Sequence, residues 1–138
     1  MSEPRAQITR HRPEFLDNKP YFTNLLISEG GKTIHLSGLV ATTADGKLVG
    51  PGDLSIQMNF IYDNIKRALD GQGATPANVV RQRVFIVGLQ LDHRPIIASA
   101  MSVFYGDAGT AASTCVGVEA LLVGGALVEI DVTAVLYG

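Results

Sequence analysis

The chain has 138 residues, of which 46% are hydrophobic, and its formal net charge is −2. That length and apolar share suit one globular domain built on one core, and they exclude a disordered polymer. The charge balance supplies no broad basic field for phosphate backbones, so nucleic acid is not an expected partner.

Residues 1–20 hold three prolines (Pro4, Pro13, Pro20) and the small basic cluster Arg10–His11–Arg12. They read as a loose, solvated N-terminal arm ahead of a single domain over 21–138. Residues 21–28 (YFTNLLIS) mix aromatic and β-branched types and read as a strand. Gly30-Gly31-Lys32 then reads as a tight hairpin turn, because glycine adopts positive φ without strain. The next strand runs from Thr33 to Ser37 and is closed by Gly38. Its alternation sets Ile34 and Leu36 on one face, with Thr33, His35 and Ser37 on the other.

A long loop follows, with turns at 44–46 and 50–52. Asp53 can cap a helix whose stripe is Met58, Ile61, Ile65, Ala68 and Leu69. Gly71-Gln72-Gly73 ends that helix, so it is a poor phosphate cradle. After a short turn at Pro76 to Asn78, residues 79–89 form the strongest strand. A second helix is expected from near Asp92 or Arg94, with Pro95 in its first turn and the stripe Ile97, Ala100, Met101, Phe104. It stops at Tyr105-Gly106, and two strands close the chain, Ser113 to Glu119 and Leu127 to Leu136.

The expected order is β-β-α-β-α-β-β, an α+β two-layer sandwich with two helices on one face of the sheet. Val128, Ile130, Val132, Ala134 and Leu136 line one face of the last strand. The other face carries Leu127, Glu129, Asp131, Thr133 and Val135, a mixed surface that suggests burial against another subunit. The polar start from Met1 to Pro13 has no apolar core of a signal peptide, and no run approaches the ~18 apolar residues of a membrane span. The lone Cys115 allows no intrachain disulfide. A cytoplasmic location away from membranes is expected.

Three blocks resemble the RidA/YjgF family of enamine and imine deaminases. They are IHLSGLVA at 34–41, YDNIKRALDGQGATPANVVRQRVFIVGL at 62–89, and STCVGVEALLVGGALVEIDVTAV at 113–135. The resemblance implies a chorismate-mutase-like fold, three copies of which make a homotrimeric barrel with a small-molecule cleft at each subunit interface. It implies a cofactor-free hydrolysis of an enamine or imine to a keto acid and ammonia. The family's water-activating glutamate falls on Glu129, its cysteine on Cys115, its glycine on Gly38 and its tyrosine on Tyr21. Gln90 occupies the region of a cleft asparagine.

The position of the family's carboxylate-binding arginine holds Ser113. Losing a charged hydrogen-bond partner costs roughly 1.5–3 kcal/mol. Either the substrate lacks that carboxylate or another cation, Arg81, Arg83 or Arg94, replaces the arginine. Ser113 and Thr114 offer short hydroxyls for a neutral polar group.

Glu129 lies between Val128 and Ile130, where a carboxylate is costly unless paired or protonated. That setting suits general acid–base work on water. Cys115 has no histidine beside it in sequence and reads as a small buried hydrophobe rather than a nucleophile. His11, His35 and His93 lack metal-ligand spacing, so no metal is expected. The leading expectation is a hydrolytic deaminase of small enamine or imine metabolites, or a related hydrolase, with Glu129 activating water. The alternative is a non-catalytic trimeric protein that binds a small molecule or regulates a partner.

Overall fold

The computed structural model describes residues 7–17, 19–107 and 109–138. Its strands are β1 (Ile8–His11), β2 (Leu25–Ser28), β3 (Lys32–Leu39), β4 (Val79–Val87), β5 (Ala112–Val118) and β6 (Val128–Leu136). Its helices are α1 (Leu54–Asp70) and α2 (Arg94–Tyr105), preceded by short 3-10 turns at Pro76–Asn78 and Leu91–His93.

The α+β two-layer expectation holds, with one strand more than expected. Part of the supposed loose arm is β1, which pairs antiparallel with β2, Ile8 opposite Ser28 and His11 opposite Leu25. Arg10 fastens it: Nε donates to the Thr110 carbonyl at 2.9 Å and Nη2 to the Ala77 carbonyl at 3.0 Å. Arg10 is therefore an anchor and not a solvated charge. Residues 1–6 and Asn18 of the arm lie outside the described residues.

The hairpin needs a second correction. Gly30 and Gly31 do turn, with φ of 67° and 81°. The strands on either side separate: β2 stays with β1 in a two-stranded sheet, while β3 joins β6. The stretch before Leu25 is not strand. Thr23 there donates from Oγ1 to the Thr110 carbonyl at 2.8 Å and from its amide to the Ala111 carbonyl at 3.0 Å. A glycine turn specifies a reversal, but it cannot specify the partner.

The main sheet has the order β3-β6-β4-β5. β6 is antiparallel to both neighbours, and β5 is parallel to β4 because α2 carries the chain back across the sheet. The Asp53 carboxylate accepts from the Ile56 amide at 2.9 Å and starts α1, which Gly71 ends. Met58, Ile61, Ile65 and Leu69 of α1, with Ile97, Ala100, Met101 and Phe104 of α2, pack on Val84, Ile86, Val128, Ile130, Val132 and Ala134. Each large aliphatic side chain taken fully from water contributes about 1.5–3 kcal/mol before entropy is subtracted. The same elements hold a fully buried Gln57, which donates to the Gly50 and Gly125 carbonyls and accepts from the Leu127 amide.

Among the described residues, the opposite sheet face is covered by no helix. It presents Thr33, His35, Arg81, Arg83, Phe85, Thr114, Val116, Glu129 and Asp131, which share one face by register. A bulge between Leu36 and Leu39 shifts the β3–β6 register. Strict alternation would point Gly38 inward with Leu36; the extra residue brings it onto the outer face beside Glu129. Among the described residues, no helix is long and apolar enough to cross a membrane.

Candidate functional site

A cavity of about 530 Å³ lies between the inner edge of β5 and α2, and is closed by the loop after β4 and by the Tyr21–Phe22 segment. Ser113 and Cys115 enter it from β5, where parallel register sets them beside the inward residues Gln82 and Val84. Tyr21 and Gln90 enter from the loops. Arg94 enters from the start of α2, so five of the residues singled out in sequence share one pocket. The remaining wall comes from Ile97 and Met101 of α2 and from Phe22, Leu89 and Leu91, which makes it mainly apolar.

Beneath the pocket floor runs a buried polar chain. The hydroxyls of Tyr62 and Tyr105 both donate to Gln82 Oε1 at 2.8 Å. Gln82 Nε2 donates to Ser113 Oγ at 2.9 Å and to Met101 Sδ at 3.5 Å. A thioether sulfur carries no hydrogen, so the amide nitrogen must face Met101 and the carbonyl must face the tyrosines. Burial pushes both tyrosine hydroxyls far above their ordinary pKa and keeps them as donors. Burial also pushes the Cys115 thiol up. That disfavours the thiolate and argues against a nucleophile there.

Glu129, Gly38 and Thr114 are not in this pocket. Glu129 sits on the outer face, opposite Phe85 of β4, with its carboxylate against Gly38. Thr114 also faces outward and accepts from Arg81 Nη2 at 2.5 Å. Arg83 grips Asp131 with two bonds of 3.0 and 2.7 Å. Gly38, Arg81, Arg83 and Asp131 border an open groove with His35 and Ser37, and His35 Nδ1 lies 3.3 Å from Thr133 Oγ1. Within one chain the sheet separates Glu129 from Ser113 and Cys115.

The three arginines now part company. Arg81 and Arg83 are engaged on the outer face. Arg94, the first residue of α2, lines the pocket and has no hydrogen bond or ion pair among the described residues. No group of three or more His, Cys, Asp or Glu side chains among the described residues is placed to hold a metal ion.

Sequence reasoning missed Gln82, the junction of the polar chain. Its signal was present: Gln82 takes an inward slot of β4 in the same alternation as Val84 and Ile86, where a polar residue needs buried partners.

Residues 18–136 match the family model described as Endoribonuclease L-PSP. No curated protein sequence matches the chain. Among solved structures it is similar to YyfB of Yersinia pestis, a protein of unknown function of the conserved Rid family. The TM-score is 0.89 with 36% identity, covering 94% of this chain and 99% of that one. YyfA of Yersinia pestis, also of the Rid family, gives 0.68 with 26% identity over 83% of this chain and 87% of that one. A putative endoribonuclease of Thermotoga maritima gives 0.67 with 25% identity over 80% and 84%. The three sequence blocks fall within the matched span, and the mixed sheet under two helices is shared with these structures. On both grounds the chain belongs to the Rid/YjgF family, whose model carries the endoribonuclease L-PSP description.

Proposed function

We propose that this chain is a cofactor-free hydrolase of small enamine or imine metabolites, working at clefts between copies of itself. The observation that carries the reading is the pocket uniting Tyr21, Gln90, Ser113 and Cys115 with an uncommitted cation, Arg94. Its volume and apolar lining suit a small organic ligand. With a net charge of −2 and no basic track along the cavity, RNA is a poor occupant.

In this reading Glu129 takes a proton from water as its oxygen attacks the imine carbon and passes that proton to the nitrogen, giving a carbinolamine; it then moves the carbinolamine hydroxyl proton to the same nitrogen as the C–N bond breaks. The products are a carbonyl compound and ammonia. Glu129 faces away from the pocket of its own chain, so the chemistry needs a second copy to lay its outer face beside the first copy's pocket. Val116, 40% exposed, and Phe85, half-buried under Arg83, favour such a contact, since both leave apolar area open on that face.

The test is release of ammonia from freshly generated iminobutyrate and related imines. Wild type should accelerate it, and Glu129→Gln should lose about a hundredfold, the usual share of a general base. Equal rates in the two, or no acceleration by wild type, would sink the proposal.

The separation of Glu129 from the pocket favours a second reading, a trimeric binding protein without turnover. Strong thermal stabilisation by a small metabolite that the protein never converts would select it.

A further inference from the structure

Arg94 and Ser113 mark opposite ends of the pocket. Met101 follows Arg94 by seven residues on α2, which is about 10 Å along the helix axis. Met101 Sδ contacts Gln82 Nε2, the same nitrogen that donates to Ser113 Oγ. Ser113 therefore belongs to the Met101 end. That end is deep, since Met101 is only 2% exposed. Arg94 and Leu91 are exposed and form the mouth, with Leu91 80% exposed. Ile97 lies between, on the same helix face.

The hydrogen-bonding sense of the deep end is also set. Ser113 Oγ already accepts from Gln82, whose orientation the Met101 sulfur dictates. No other hydrogen bond of Ser113 Oγ is found among the described residues, which leaves its O–H to donate into the cavity it lines. The floor thus offers a neutral donor and the mouth a full positive charge.

We propose that the pocket takes an elongated monocarboxylate, neutral end first. A carbonyl oxygen or imine nitrogen accepts from Ser113 Oγ, the apolar body lies along Met101 and Ile97, and the carboxylate meets Arg94 at the mouth. The inference rests on this pocket being the ligand site of the proposed function, but it does not require Glu129 to be catalytic. It assigns the charge recognition of the missing arginine to a different element and reverses the direction in which an acidic ligand enters. Arg94 suits that task because its fork of donors matches a carboxylate.

The experiment is calorimetric titration with levulinate and its longer methyl-ketone homologues, beside their primary amides and the unsubstituted fatty acids of equal length. Wild type should bind the keto acids, with affinity rising to a preferred length, and should bind the amides at least tenfold more weakly. Arg94→Gln should erase that acid-over-amide preference, while Arg81→Gln on the outer face should keep it. Ser113→Ala should erase the preference for the keto acid over the plain fatty acid. The proposal fails if no keto acid binds, if Arg94→Gln binds like wild type, or if the loss follows Arg81→Gln. The predicted pattern without ammonia release leaves this inference standing and overturns the deaminase reading. Full turnover of an acidic imine by Arg94→Gln overturns this inference and spares the other.

Discussion

The carboxylate of Glu129 occupies the space that a side chain on Gly38 would need: a Cβ built there stands 2.5 Å from Oε2 and 2.8 Å from Cδ. Gly38 has no left-handed φ, so alanine meets no backbone strain. The conflict is with the end of a flexible side chain, which swings aside. Gly38→Ala should change unfolding free energy by less than about 1 kcal/mol. It should still cut imine hydrolysis tenfold or more, because displacing a reacting group by about 1 Å is expensive in rate. Thermal melts and ammonia release measure the two effects. Unchanged turnover in Gly38→Ala beside a dead Glu129→Gln would mean that the glycine does not set the carboxylate.

Gln82 holds four side chains at once, and its replacement by leucine strands the hydroxyls of Tyr62 and Tyr105 in the core. Each buried donor left without an acceptor costs about 1–3 kcal/mol, so Gln82→Leu should lose about 2–6 kcal/mol in urea unfolding. Tyr62→Phe removes a donor and leaves the Gln82 carbonyl with its other tyrosine, so it should cost about 1 kcal/mol. A leucine variant as stable as wild type would contradict the buried chain.

The same tyrosines predict a loss of stability in alkali. Desolvation raises both hydroxyls well above their ordinary value of 10.0 in the folded state. The unfolded chain begins to release these protons near pH 10 while the folded chain keeps them. The unfolded state then binds fewer protons, and stability falls as pH rises. Two such groups give a limiting slope of about 2.7 kcal/mol per pH unit above that point, and none below it. Denaturant midpoints at about pH 8 and about pH 11 test this. Tyr105→Phe should roughly halve the slope, and an unchanged slope would show that Tyr105 titrates freely.

The helices were legible because their signals are local: the Asp53 cap, the apolar stripes and the glycine stop all act within one or two turns. The alternation of β6 was legible for the same reason. Three features needed the tertiary partner. β1 is four residues long and is held by an arginine that reaches carbonyls far along the chain. The glycine turn announced a reversal without naming the strands that pair. The bulge in β3 moved Gly38 to the face that alternation denies it. The division of the site followed from register as well. Which face of β5 meets α2 depends on its pairing with β4, so Ser113 and Glu129 had no visible reason to lie on opposite sides of the sheet. Arg94 was one of three candidate cations until its place on α2 separated it from the two that are already engaged.

Arg10 replaces a solvated charge with an anchor between the first strand and two distant loops. Partial burial lowers its pKa, and a guanidinium keeps its charge in proteins. Arg10→Ala removes two charge-assisted bonds, each worth about 1.5–3 kcal/mol before the exposed share is discounted, so a net loss of about 1–3 kcal/mol is expected. Lysine, a point donor on a flexible stem, should recover only part of it. Hydrogen exchange should show β1 and β2 opening while the main sheet stays protected. Equal protection of Ile8–His11 in Arg10→Ala and wild type would remove the anchor.

The outer face decides whether the two halves of the proposed site ever meet. Val116 is 40% exposed there, beside Phe85 and across β4 from Glu129. In a free subunit Val116→Glu changes a solvated position and should alter stability by no more than about 0.5 kcal/mol. In an assembly that buries this face, the same change places an unpaired carboxylate in an apolar contact, at a cost of several kcal/mol. Light scattering should then report a fall from trimer to monomer at micromolar concentration. Ammonia release should vanish with it, because Glu129 of one copy no longer reaches the pocket of the next. Ligand binding through Arg94 should persist at reduced affinity, since those groups belong to a single chain. A Val116→Glu variant that stays trimeric and active would show that this face is not the contact, and would leave Glu129 without a route to the pocket.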